Sequence, residues 1–171
     1  MTSEAATSPA LSSAPPADAG APHGRKRFDL FVIDLGWKSP IGDVLRHNME
    51  LLKQYQLHYN LYILSAEQCR ELFRIHPSMI GNEPSLVVID REAQEAERKQ
   101  GYGFKLNLGM IRDSATANSI LKWCLAVLAE QRPGSDLTGP IRTVMHKEGI
   151  RGAIDIMADI TRSPFGEAAT H

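Results

Sequence analysis

Phe28-Asp29-Leu30-Phe31-Val32-Ile33-Asp34-Leu35-Gly36-Trp37-Lys38-Ser39-Pro40-Ile41 is the stretch on which the fold turns. Phe28 to Asp34 is a short apolar run, long enough for a buried central strand. Pro40 suits the first turn of a helix, where its missing N–H costs nothing. From Ile41 to Tyr55 the apolar positions are Ile41, Val44, Leu45, Leu52 and Tyr55. That spacing predicts a helix with one face inward. Strand, turn and helix in succession point to an α/β protein.

Working outward, Tyr59 to Leu64 predicts a second strand. Ser65-Ala66-Glu67-Gln68 has the pattern of a capping box, in which the serine accepts from the first turn and the glutamine reaches back. The helix it opens carries Cys69, Leu72 and Phe73 and ends before Pro77. A third strand, Ser85 to Ile89, follows Asn82-Glu83-Pro84. Phe104, Leu106, Leu108 and Met110 alternate with Lys105, Asn107 and Gly109, which predicts a fourth strand with one buried face. Between these two strands Arg91 to Gly103 is highly charged and longer than a hairpin loop. Asp113 or Ser114 caps a helix to about Gln131, with Ile120, Leu121, Cys124, Leu125 and Leu128 on its inner face, and Pro133-Gly134 stops it.

The predicted order is β-α-β-α-β-β-α. Strands joined through a helix are expected to be parallel, with a right-handed crossover. The last two form an antiparallel hairpin. The expectation for residues 28–132 is a four-stranded mixed sheet flanked by three helices. Residues 133–171 are expected to be a linker and a C-terminal helical extension. There Ile150, Ala153, Ile154 and Met157 fall at helical spacing, while Gly149 and Gly152 weaken continuity. Two roles are open for this piece: packing on the domain, or presenting Ile150, Ile154 and Met157 to a partner or a second copy.

Residues 1–27 are expected to form a disordered tail. Met1 to Gly24 is rich in Ala, Ser, Pro and Thr and cannot bury enough surface to offset its ordering entropy. Arg25-Lys26-Arg27 is expected to be a solvated flank. The 171 residues are 43% hydrophobic, with net charge −1 and pI about 6.6. That suits one domain with tails and offers no footprint for nucleic acid. Cys69 and Cys124 are far apart and show neither disulfide nor zinc spacing, so buried thiols in a reducing compartment are expected. The six histidines are scattered, with no metal-ligand pair. No apolar stretch approaches the roughly 18–20 residues of a membrane span. A continuous signal-peptide core is also missing, so a cytoplasmic location is expected.

Gly36-Trp37-Lys38-Ser39-Pro40-Ile41 and Asn82-Glu83-Pro84-Ser85-Leu86, with this order of elements, resemble the active-site turn and cis-proline loop of the thioredoxin-like superfamily. There the turn reads Trp-Cys-Gly-Pro-Cys. Trp37 and Pro40 match the family's Trp and Pro, while Lys38 and Ile41 stand where it has cysteines. Val32 stands where it has a buried, proton-moving carboxylate. Dithiol exchange needs a thiolate stabilised at a helix N-terminus. The nucleophile, the resolving thiol and the proton acceptor are all replaced. The resemblance therefore implies a redox-inactive member: not an enzyme, with no catalytic residue, cofactor or metal.

Ser39 is expected to be a turn or cap hydroxyl. Asp34 and Asp43 flank the turn as solvated carboxylates or helix N-terminal charges. Gly101-Tyr102-Gly103 lacks the strand-to-helix context of a phosphate loop. In the family, backbone beside the cis proline pairs with an extended peptide, which needs no cysteine. The resemblance thus implies a groove lined by Trp37, Lys38, Ser39, Pro40, Glu83 and Pro84. The plainer alternative is that Trp37 packs within its turn and Pro84 only begins a strand.

The function implied is a non-catalytic adaptor or accessory protein that binds a protein partner, with self-association through the C-terminal segment as an option. A weaker resemblance is to KaiB-like clock proteins, which lack Cys-x-x-Cys and carry a Thr/Ser-Pro turn like Ser39-Pro40. It implies a regulator of an ATPase, although the Arg91–Gly103 segment departs from that pattern. A third reading is an assembly chaperone for a larger enzyme, as in cysteine-less thioredoxin-like hydrogenase-maturation proteins. Least expected is a glutathione-dependent enzyme using Ser39, since the chain after Arg132 is short for its all-helical second domain.

Overall fold

The structure, a computed structural model, describes residues 26–36, 38–96, 101–147, 150 and 152–157. The tail expected over residues 1–25 lies outside them, and so does Trp37. Five strands form one mixed sheet: β1 (Phe28–Ile33), β2 (Tyr59–Ile63), β3 (Ser85–Asp90), β4 (Gly103–Asn107) and β5 (Ile154–Met157), in the order β2-β1-β3-β4-β5. β1 runs parallel to β2 and antiparallel to β3. β3–β4 and β4–β5 are antiparallel. The helices are α1 (Pro40–His47), α2 (Met49–Gln54), α3 (Ala66–Ile75), α4 (Arg91–Glu95), α5 (Ser114–Glu130) and α6 (Thr138–Lys147).

β1 and β3 are buried along their whole length because helices cover both faces of the sheet. Side chains alternate between the faces. On one face Leu30, Val32, Leu86, Val88, Phe104 and Leu106 pack in one core with Leu45 of α1, Leu52 of α2, Leu121 and Leu125 of α5 and Ile141 of α6. On the other, Phe31, Ile33, Val87 and Ile89 pack with Cys69, Leu72 and Phe73 of α3. The capping box forms as expected: Gln68 N–H donates to Ser65 Oγ, and Ser65 N–H donates to Gln68 Oε1 at 2.8 Å.

Five expectations need correction. The sheet has five strands rather than four, and the C-terminal segment is not helical throughout. After α6, Ile154 and Met157 lie in strand β5, which pairs with β4, and Ile154 is 1% exposed. Ile150 packs against the same core. The spacing of Ile150, Ile154 and Met157 fits a helix, but Ile154 and Ile156 also alternate as a strand does. The open edge of β4, invisible in local sequence, decides between them. β4 ends at Asn107, and Leu108–Met110 forms a 3-10 turn instead of continuing it.

The predicted helix from Ile41 to Tyr55 is divided at Asn48. The side-chain amide of Asn48 donates to Val44 O at 2.7 Å and to Asn118 Oδ1 at 2.9 Å. Finally, Arg27 is not a solvated flank. Its guanidinium donates to both carboxylate oxygens of Asp90, at 2.9 and 2.6 Å, and to Ser135 O at 2.6 Å. This forked geometry ties the start of β1 to the end of β3 and to the loop after α5. No helix among the described residues is long and apolar enough to cross a membrane.

Candidate functional site

The last residue pair between β1 and β3 is Ile33 with Ser85. It brings the turn that leaves β1 beside Pro84. The turn opens with Asp34, whose Oδ1 accepts from Gly36 N–H at 2.8 Å. Gly36 has φ +76°, a conformation that other residues rarely adopt. Ser39 ends the turn as the N-cap of α1, its Oγ accepting from Gly42 N–H at 2.9 Å. The hydroxyl is thus engaged as a cap, and Pro40 takes the first helical position. Lys38 is exposed.

Asp43 and Arg46 pair at 2.7 Å on the outer side of α1, and that hydrogen bond holds the Asp43 carboxyl below its usual range. Arg46 also lies 3.8 Å from Asp34.

Across from the turn, the Glu83–Pro84 peptide bond is cis and Pro84 is buried. Glu83 Oε2 is buried and has no hydrogen-bond partner among the described residues. Gly109 fixes this loop from behind. Its N–H donates to Pro84 O at 3.3 Å, and a Cβ there would stand 2.3 Å from Glu83 O. Sequence reading missed this role, because the alternation around Leu108 and Met110 made Gly109 look like an outward strand position.

Neither thiol is arranged for exchange. Cys69 is 0% exposed, its Sγ 4.0 Å from the carbonyl oxygens of Asp34 and Leu64. Burial pushes its pKa up, opposed by a backbone hydrogen bond from Asp34 and reinforced by the carboxylates of Asp34 and Glu83. Burial pushes Cys124 up to about 12. Both thiols stay protonated at neutral pH, so neither offers a thiolate. Val32 is 1% exposed and Ile41 packs against the core, so both act as hydrophobic residues.

Lys38, Ser39, Pro40, Glu83 and Pro84 therefore fall on the two chain segments that meet at the C-terminal end of β1. Ile150, Ile154 and Met157 do not join them. Met157 instead lines a separate groove of about 160 Å³ on the α3 face, with His76, Met79, Lys105 and Asp155. No group of three His, Cys, Asp or Glu side chains among the described residues is placed to hold a metal ion. Comparison of the chain with family models, curated proteins and solved structures found no match.

Proposed function

We propose that this chain is a redox-inactive, thioredoxin-like adaptor that binds a partner protein where the Asp34–Pro40 turn meets the Pro84 loop. The observation that carries the reading is the connectivity of β1 to β4. Two parallel strands are linked through α1 and α2, and an antiparallel hairpin is laid against the first of them. α1 and α5 lie on one face and α3 on the other. This connectivity supports the thioredoxin-like reading, in which α4, α6 and β5 are additions. The burial of both thiols and the use of Ser39 as a cap favour binding over catalysis.

The unpaired Glu83 oxygen gives the surface a chemical preference. A buried carboxylate oxygen without a donor is costly. By turning outward, the half-buried Glu83 side chain would let a partner's backbone amide, lysine or arginine relieve it with a charge-assisted hydrogen bond. Lys38, exposed on the facing segment, favours a partner that also carries an acidic group.

An insulin-disulfide reduction assay tests the absence of exchange chemistry. The expected outcome is precipitation of insulin no faster than dithiol alone produces. Catalysed, dithiol-dependent turnover would overturn the proposal.

A further inference from the structure

We propose that the outer edge of β2 is a self-association surface on which a second copy of the chain pairs antiparallel. β2 lies at one margin of the sheet, with no strand on its outer side among the described residues. Leu64 N–H donates inward to Val32 O. By strand alternation Asn60 and Tyr62 also turn their main chain toward β1, and Tyr59, Leu61 and Ile63 turn theirs outward. Lys26 shows the outward direction: its Nζ donates to Gln56 O and, at 3.3 Å, to Tyr59 O.

Edge strands are commonly protected by a proline, an in-strand charge or a bulge. The Tyr-Asn-Leu-Tyr-Ile of β2 has neither charge nor proline. Leu57, Tyr62 and Ile63, on and beside it, are 86%, 42% and 52% exposed.

A second copy fits because the edge is complementary to itself about Leu61. Antiparallel pairing centred there sets Leu61 opposite Leu61 of the other copy and Tyr59 opposite its Ile63. All three are outward positions, so the bonded pairs repeat in register. The exposed Ile63 of each copy then lies beside Tyr59 of the other, and each Tyr62 beside an Asn60. Charge agrees with this arrangement. Lys26 sits at the start of β2, and Glu67 lies exposed just past its end in the first turn of α3. A two-fold axis brings each lysine near the other copy's glutamate, as an isologous interface requires. The chain's own N-terminal segment suits the edge less well. Residues 1–25 contain four prolines, and Leu11 is their one large aliphatic residue after Met1.

The test is sedentation-based: analytical ultracentrifugation of the full chain over a micromolar-to-millimolar dilution series. The expected result is a monomer–dimer equilibrium that Ile63→Lys weakens by about tenfold or more. Lys26→Glu should also weaken it, and adding Glu67→Lys should restore it. Hydrogen exchange at the Leu61 and Ile63 amides should slow as concentration rises. A chain that stays monomeric throughout overturns the proposal. So does a dimer indifferent to all of these substitutions, or edge amides protected equally at every concentration, which would mean that the chain covers its own edge.

Discussion

Ser39 shows how one side chain separates two accounts of the turn. As a nucleophile it would need a base within hydrogen-bond reach. Its Oγ instead accepts from Gly42 N–H and closes the first turn of α1. Replacing it with alanine is expected to cost about 1 kcal/mol of stability, as loss of an N-cap does. Urea unfolding would measure this, and an unchanged unfolding midpoint would show that the cap contributes nothing. The serine's role was legible from its place before Pro40. The role of Gly109 was not, because it depends on a carbonyl 26 positions earlier in the chain, that of Glu83, coming within 2.3 Å of a would-be Cβ. Nor was the pairing of Arg27 with Asp90, which joins opposite ends of two strands. Local sequence carries caps and turns, whereas close approaches between distant segments exist only once the sheet has formed.

At the level of elements the same division holds. The capping box before α3, the run of β1 and the inner face of α5 each follow from patterns within one turn or one strand, and each forms. β5 differs. Of the four residues at helical spacing, Ile154 and Met157 lie in a strand because β4 offers an unpaired edge, with Leu106 opposite Ile154 and Lys105 opposite Asp155. Tertiary pairing overrides local periodicity in so short a segment. Ile154→Ala distinguishes the two assignments. As a core residue of β5, Ile154 should cost about 2–5 kcal/mol on truncation. As an exposed contact on a docking helix it would cost almost nothing, so an unchanged urea midpoint would contradict its place in the sheet.

Taken whole, the molecule is an α/β scaffold in which both cysteines are free and buried. One face of the sheet is closed by α1, α5 and α6 and the other by α3. The two thiols are sealed within those layers. At the C-terminal end of β1 lie a short turn, an exposed lysine and a proline loop whose half-buried Glu83 holds a buried, unpaired carboxylate oxygen. The central claim is that this surface binds a partner. The most direct measurement compares the proteins captured from native-cell extract by the tagged full chain and by its Lys38→Glu, Glu83→Gln double variant, each with a verified folded circular-dichroism spectrum. The account predicts that a protein held by the wild type is lost from the variant. An identical captured set from both would contradict it.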